Sequence, residues 1–256
     1  MPNDAESAIQ PTHYRVEGGV VTDMVTGLVW QQTVDPTPRA LSDARGYCEG
    51  LDIGGRTDWR LPNRIELTSL LQPSRNPAID SEAFPDTPAD YFRATTYGAA
   101  SVELSWSVYF GGSFVVLGSA DTSSTFARCV AGGVTTLDPQ FEITADDDVV
   151  LDRGTRLLWR RDAAVAATRA AAESSCTARG ATSRLPTLKE LLTIVDDTQR
   201  DPALDTAVFA TADERTYWTA TADGSDPIGF VVDFATGATL EEQRPGPHAY
   251  RCVASE

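Results

Sequence analysis

The chain has 256 residues, enough for one large domain or for two smaller ones, and either could bury its own core. Its 37 acidic and 21 basic side chains give a net charge of −16, so it would repel a phosphate backbone and nucleic acid is not an expected partner. No apolar run approaches the roughly 18 residues of a membrane-spanning helix, so no transmembrane segment is predicted. The hydrophobic share of 41% is typical of a folded protein rather than a disordered acidic chain.

The sequence is an internal duplication, which appears when the chain is aligned with itself at roughly half its length. It predicts an N-terminal tail at 1–15, a first domain at 16–133, a polar linker at 134–147 and a second domain at 148–256. The matched residues used below are Asp23 with Asp152, Trp30 with Trp159, Cys48 with Cys176, Arg60, Leu61 and Pro62 with Arg184, Leu185 and Pro186, Glu66 with Glu190, Asp80 with Asp205, Tyr91 with Tyr217, Ala94 with Ala220, Thr95 with Thr221, Trp106 with Phe230, Phe110 with Phe234, and Arg128, Cys129 and Val130 with Arg251, Cys252 and Val253.

Each copy shows the same order of predicted elements. A β-hairpin comes first, with Trp30 or Trp159 on its second strand, and a helix follows over 40–51 or 163–176. A second helix begins after Arg-Leu-Pro, where Asn63 and Glu66 have the spacing of a capping box, as do their counterparts in the second copy. A long loop rich in Pro and Asp, a second hairpin and a short final strand complete the copy. This order predicts an α+β fold.

Each copy carries one cysteine on its first helix and one on its final strand. Four cysteines allow three pairings, of which Cys48 with Cys129 and Cys176 with Cys252 is the simplest for a duplicated chain. The alternative is four buried thiols in a cytosolic protein. We favour the disulfides, and therefore expect a secreted, periplasmic or cell-surface protein whose leader has been removed from this chain.

Several motifs resemble those of the DUF1566 family, the module that forms the C-terminal domain of a Legionella collagen-like adhesin. In the first copy they are TGLVWQ, GRTDWRLPNRIELTSLL, NPAID and FARCV, and in the second TRLLWR, SRLPTLKELLTIV, DPALD, YWTAT and YRCV. The resemblance implies two tandem C-type lectin-like domains, related also to formylglycine-generating-enzyme-like folds, each with two helices packed on short antiparallel sheets and a disulfide from the first helix to the last strand. It also implies structural roles for Trp30, Arg60, Pro62, Glu66, Trp159, Arg184, Pro186 and Glu190.

Enzymatic activity is not expected from this sequence, and no catalytic residue is proposed. The chain has two histidines, His13 in the predicted tail and His248 in a Pro-Gly-Pro turn, so a His-based metal centre or a Ser/His/Asp relay in each copy is not available. A formylglycine-generating oxidase would need free cysteines. A glycosidase pair would need an aromatic cradle around two carboxylates, and none is visible.

Ligand binding is expected at the long loop and the second hairpin, because the other segments are committed to core and caps. Tyr109 and Asp233 differ although the neighbouring Phe110 and Phe234 match, which indicates outward positions where specificity resides. Asp80 and Asp205 also suit loop-capping roles, and Trp106 is predicted to be buried. The candidate ligand-binding residues are Asn76, Asp80, Asp86, Asp90, Arg93, Tyr97 and Tyr109 in the first copy and Asp205, Arg215 and Asp233 in the second.

The composition also shapes the expected ligand and cofactors. The acidic stretches 146–148 and 196–197 lack the spacing of a calcium loop, so we expect no metal and no cofactor, with calcium as the alternative. The net charge disfavours a polyanion. We therefore expect an exported or cell-surface adhesin or lectin-like protein that binds a glycan or a surface protein. The alternative is a structural or assembly subunit without a small ligand, and the sequence leaves the oligomeric state open.

Overall fold

The computed structural model describes residues 13–99, 101–133, 141–145, 147–222, 229–242 and 246–256. Tertiary contacts divide the chain into two compact units that meet in sequence between Thr136 and Leu137. We call their described parts domain 1 (13–133) and domain 2 (141–256). Each is a mixed α+β unit of small, mostly antiparallel sheets with two short helices among its described residues, so the α+β prediction is confirmed.

Domain 1 forms two antiparallel sheets, with strand orders β1-β2-β3-β8-β4 and β5-β6-β7. Helix α2 packs against β5 and β6, and α1 against β4. The elements in chain order are β1 (Tyr14–Glu17), β2 (Val20–Asp23), β3 (Val29–Gln31), α1 (Leu41–Glu49), β4 (Trp59–Arg60), α2 (Arg64–Ser69), β5 (Tyr91–Gly98), β6 (Ser101–Tyr109), β7 (Phe114–Ala120) and β8 (Val130–Ala131).

Domain 2 repeats this plan with the sheets β17-β11-β10-β9 and β12-β16-β13-β14-β15. All of its strand pairs are antiparallel except β13 with β16. The elements are β9 (Phe141–Ile143), β10 (Val149–Asp152), β11 (Leu157–Arg160), β12 (Ala164–Ala166), α3 (Arg169–Thr177), α4 (Leu188–Thr193), β13 (Thr216–Ala222), β14 (Gly229–Asp233), β15 (Ala238–Glu242), β16 (His248–Tyr250) and β17 (Val253–Ser255).

The duplication extends further than the sequence alignment indicated. Strand β1 begins in the predicted tail, two residues before the predicted start of the first domain, and β9 lies inside the predicted linker. Tyr14 packs edge-on against Phe84 with ring centroids 5.2 Å apart, and Phe141 packs in the same way against Phe209 at 4.9 Å. These aromatic contacts attach the extra strand to the body of each domain.

Two other sequence predictions differ from the structure. Helix α3 begins at Arg169 and not at 163, because Ala164–Ala166 pairs with β16 as a strand; tertiary pairing overrides the helix propensity of the alanines. Strands β5 and β13 occupy the end of the predicted long loop, where they complete the sheets that hold the second hairpins.

Both predicted disulfides are formed. Cys48 pairs with Cys129 and Cys176 with Cys252, with Cα atoms 5.5 and 5.4 Å apart. All four cysteines are buried in the cores beside α1 and α3. Each bridge therefore ties the first helix of its domain to the chain immediately before a terminal strand.

The Arg-Leu-Pro motif fixes the start of the second helix in both domains. Arg60 donates to both carboxylate oxygens of the buried Glu66 at 2.8 Å, while Glu66 accepts from the Asn63 amide in a capping box. Arg184 and Glu190 repeat the arrangement around Thr187. The proline of each motif accepts a hydrogen bond at its carbonyl: Pro62 from the Thr95 amide of β5, and Pro186 from the Ala220 amide of β13. Trp30 and Trp159 are fully buried.

A buried arginine precedes the second cysteine of each domain. Arg128 donates to the carbonyls of Gln31 and Gln32 at 2.8 Å, and its guanidinium lies 4.8 Å from the centre of the Phe84 ring. Arg251 makes the corresponding bonds to carbonyls of 160–162 and lies 4.7 Å from the Phe209 ring. Desolvation lowers the pKa of Arg128 to about 9 and that of Arg251 to about 10, so both stay charged at neutral pH.

Candidate ligand-binding surface

The long loop and the second hairpin meet at one end of the sheet in each domain. In domain 1 the Ala78 amide donates to the Phe110 carbonyl at 2.6 Å, and the Phe110 amide donates to the Asp90 carbonyl at 3.1 Å. In domain 2 the Ala203 amide donates to the Phe234 carbonyl, and Phe234 in turn donates to Arg215. These bonds bring predicted site residues together. We define the hairpin-end surface as Asn76, Asp90, Tyr91, Tyr109 and Phe114 in domain 1 and as Asp201, Arg215, Thr216, Asp233 and Ala238 in domain 2.

Three aromatic rings form a row across the sheet of domain 1. Tyr91, Tyr109 and Phe114 are direct register partners on β5, β6 and β7. The Tyr109 ring lies 4.6 Å from the Tyr91 ring and 6.2 Å from the Phe114 ring, centroid to centroid. Tyr91 is 39% exposed and the other two rings are half-buried. Cross-strand aromatic pairs of this kind stabilise a sheet and fix the ring positions.

Two glycines in the β6–β7 turn make room for this row. A Cβ at Gly111 would lie 2.4 Å from the Tyr109 ring, and a Cβ at Gly112 would lie 2.6 Å from the Phe114 ring. Neither glycine has a left-handed backbone. The space taken by the rings, and not backbone conformation, therefore disfavours side chains at these two positions, because a Cβ would require the rings to move.

Domain 2 has no aromatic row at the same place. Thr216, Asp233 and Ala238 are the register partners on β13, β14 and β15, and Ala235 and Thr236 stand in the turn 234–237 where domain 1 has its two glycines. Asp233 caps this turn: one carboxylate oxygen accepts from the Ala235 amide at 2.8 Å and the other from the Thr236 hydroxyl at 3.0 Å. Asp233, predicted to bind ligand, thus has a structural role. Beside it, Arg215 approaches the Asp201 carboxylate at 3.7 Å.

The sequence alignment of β5 with β13 is wrong by one residue. The Thr95 and Ala220 amides make the same bond to a proline carbonyl, and Thr96 and Thr221 accept from the start of the second helix. Tyr91 therefore corresponds to Thr216, and the buried Tyr217 corresponds to Phe92. Because successive strand residues face opposite sides, this shift moves Tyr91 from a core position to the exposed face.

Arg93 and Tyr97, also predicted to bind ligand, lie elsewhere. Arg93 is fully buried and not on the surface; it donates to the Ser105 and Thr125 hydroxyls at 2.9 Å and to the Ser123 carbonyl at 2.6 Å. Burial lowers the pKa of Arg93. Tyr97 is half-buried, and its hydroxyl donates to Asp121 at 3.0 Å. Both residues hold the segment around 120–125 in place.

The loop aspartates differ in their roles. Asp80 accepts from the Glu82 and Ala83 amides, and Asp205 accepts from the Ala207 amide, so both are loop caps. Asp86 is exposed and adopts a left-handed backbone with φ of 58°. Asn76 is exposed immediately before a cis proline. Asp90 is exposed and accepts from the Tyr91 amide at 2.7 Å.

The described aspartates of the acidic stretches have partners within the protein. Asp147 and Asp148 form ion pairs with Arg161 and Arg160, and Asp196 accepts hydrogen bonds from Thr198 and Gln199. Asp146 lies outside the described residues. Within the described ranges no three His, Cys, Asp or Glu side chains form a group that could hold a metal ion.

His248 is on strand β16 and not in a turn as predicted. It is buried: its Nδ1 lies 2.6 Å from the Thr216 hydroxyl, and its Nε2 lies 3.1 Å from the Glu242 carboxylate.

The sequence interpretation missed Tyr91 and Phe114 as surface residues. The Gly-Gly turn beside two aromatic residues was the available signal, because glycine allows another group to approach the backbone closely. Trp106, by contrast, is buried as predicted.

Fold and surface together define a class: tandem α+β domains, each with one internal disulfide, in which one loop and one hairpin form an exposed end. The family model of the Lcl C-terminal domain matches residues 19–131 and 148–254, so the chain belongs to the Lcl C-terminal domain family and contains two copies of its module. Comparison with curated proteins found no match to this chain. Among the described residues, no helix is long and apolar enough to cross a membrane.

Proposed function

We propose that this protein is an exported or cell-surface, non-catalytic ligand-binding protein of the adhesin or lectin-like type. In this proposal each domain is C-type lectin-like, and the hairpin-end surfaces bind the ligand. The two disulfides support an oxidising compartment, where such bridges form and persist.

The main support is the contrast between a shared frame and a changed surface. Both domains hold the hairpin end with equivalent backbone bonds, those of Ala78 and Ala203 to Phe110 and Phe234. The side chains on that frame differ in every hairpin-end position, from Asn76 to Asp201 and from Tyr109 to Asp233. Loops and turns on a rigid scaffold are where proteins usually place recognition.

Binding is favoured over catalysis because the candidate acids are already engaged. Asp80, Asp205 and Asp233 accept hydrogen bonds from neighbouring amides and so cap the loop or turn in which they lie. The chain's net charge of −16 favours a neutral glycan or a basic protein over a polyanion.

A glycan array probed with and without calcium tests this proposal, combined with light scattering over a range of protein concentrations. A specific signal for a glycan, or for a basic protein in a parallel array, is the expected result. Defined oligomers without any such signal would instead favour a structural or assembly subunit. Localisation is tested separately by fractionating the producing cell.

A further inference from the structure

We propose that the hairpin-end surface of domain 1 binds neutral saccharides and that the equivalent surface of domain 2 does not. The inference rests on the proposed function, because it names the domain and the ligand class. The protein would then carry one saccharide site, built on the row of Tyr91, Tyr109 and Phe114.

The first argument is that the aromatic row is held in place before any ligand arrives. Tyr109 lies between Tyr91 and Phe114, and it covers Gly111 so closely that a single Cβ there would overlap its ring. Rings fixed by neighbours on two strands lose little conformational freedom on binding. Rigid aromatic side chains supply contact area on binding surfaces at a low cost in conformational entropy.

The second argument concerns the polar atoms on this surface. Within the described residues, neither the Tyr91 nor the Tyr109 hydroxyl forms a hydrogen bond, although both rings are at least partly exposed. Asp90 uses one carboxylate oxygen to accept from the Tyr91 amide and keeps the other available in the described structure. Donors and acceptors beside apolar ring edges match a saccharide, which has hydroxyls around an apolar ring.

The third argument concerns charge. None of the five residues that define the hairpin-end surface of domain 1 is basic, and Arg75, next to Asn76 in sequence, lies 3.8 Å from the Asp80 carboxylate, so little on this surface favours a sulfate or carboxylate group. The exposed carboxylate of Asp90 can accept hydrogen bonds from saccharide hydroxyls, which need no charge on the ligand. The surface therefore favours a neutral ligand over an anionic one, and oligolysine tests a cationic one.

Domain 2 lacks each of these features. Asp233 uses its two carboxylate oxygens to cap the turn, and the Thr216 hydroxyl lies 2.6 Å from His248. Ala238 stands where Phe114 stands in domain 1, and Arg215 is close to Asp201. The side chains of this surface are therefore small or charged, and their polar groups already have partners within domain 2.

The test uses the full chain on immobilised neutral glucan, galactan, mannan and chitin tetra- to hexasaccharides, with heparin and oligolysine as charged probes. For a saccharide that is retained, Tyr91→Ala and Tyr109→Ala should each weaken binding about tenfold. Thr216→Ala, the matched change in domain 2, should leave binding unchanged. Gly111→Ala keeps both tyrosines but displaces the Tyr109 ring, and it should also weaken binding. Circular dichroism identifies any variant that fails to fold.

The outcomes separate this inference from the proposed function. Retention of a neutral saccharide that is unaffected by the three domain 1 variants, or lost in Thr216→Ala, overturns the inference while ligand binding stands. Retention of the wild type on heparin or oligolysine, with no retention on a neutral saccharide, also overturns the inference and leaves the proposed ligand binding intact. Defined oligomers with no retention on any probe overturn both.

Discussion

The two domains share nearly the same internal frame but differ at one end. Each has a cysteine bridge, an arginine–glutamate pair at the second helix and a buried arginine bonded to carbonyls. At the hairpin end, domain 1 has a row of three aromatic rings beside a Gly-Gly turn, whereas domain 2 has an aspartate-capped turn. The interior contacts of the fold therefore tolerate a complete exchange of the surface chemistry at this end.

The comparison also shows that residues at the hairpin end change together. Glycine at position 111 leaves room for Tyr109, because the Tyr109 ring occupies the space where a Cβ would lie. With Asp233 in place of the tyrosine, the equivalent position accepts Ala235, and the aspartate bonds to that residue's amide. A single substitution at either position would thus leave the turn either crowded or without its cap.

The largest expected effect tests the shared frame. Replacing both cysteines of a bridge by alanine should lower the unfolding free energy of the domain concerned by about 4.5 kcal/mol, because the bridge reduces the conformational entropy of the unfolded chain. The two values should be similar, since this entropy depends only weakly on loop length. The sequence separations are 81 residues for Cys48–Cys129 and 76 for Cys176–Cys252. Hydrogen exchange of peptides from α1 and α3 would measure the loss in each domain.

The two double variants serve as controls for each other. Similar losses are expected in both domains, and a loss in one with none in the other would contradict equivalent roles for the bridges. Alkylation of the native wild-type protein provides a further check: four modified thiols would contradict the disulfides themselves.

The next effect tests the buried arginines. Arg128→Met should destabilise domain 1 by about 3 kcal/mol, because it leaves buried carbonyls of Gln31 and Gln32 without donors. Arg251→Met should act similarly in domain 2. Denaturant titration measures both. Arg45→Met, at an exposed position of α1, is the control and should change stability by less than about 0.5 kcal/mol. If the Arg128 and control variants were equally stable, the carbonyl contacts would not contribute as argued.

Much of this frame could be predicted from the sequence, because it depends on identical residues. The disulfides, the capping boxes at Glu66 and Glu190 and the burial of Trp106 follow from spacing and repetition. Strands β1 and β9 were missed because YRVE and FEI share no aligned identity, although Tyr14 and Phe141 make the same aromatic contact.

The candidate site was harder to predict for a geometric reason. Identical Tyr, Ala and Thr residues favoured an alignment of β5 with β13 that is shifted by one position, and in a strand such a shift exchanges the two faces. Arg93 was placed on the surface because an arginine in a loop-like segment is usually exposed. The segment that covers it, around Ser123 and Thr125, becomes visible only in the fold.

A smaller effect tests the coupling between Tyr109 and Gly111. Gly111→Ala should destabilise domain 1 by about 1 kcal/mol, since overpacking of a fixed ring outweighs the entropy that alanine removes from the unfolded chain. The reverse change in domain 2, Ala235→Gly, should cost less than about 1 kcal/mol through backbone entropy alone. Thermal unfolding of both variants provides the comparison. A stabilising Gly111→Ala would show that the ring yields freely and is not held by its neighbours.

The smallest expected effect sharpens the contrast between the two hairpin ends. Arg215 Nη1 lies 3.7 Å from Asp201 Oδ1, and the two side chains are 50% and 56% exposed, so solvent screens this ion pair. Arg215→Gln should change the free energy of unfolding by less than about 0.5 kcal/mol, because an exposed ion pair contributes little to stability. The same variant should retain neutral saccharides as the wild type does, since this ion pair belongs to domain 2. A loss of saccharide retention without a loss of stability would place the binding surface in domain 2 and reverse the assignment of the two ends.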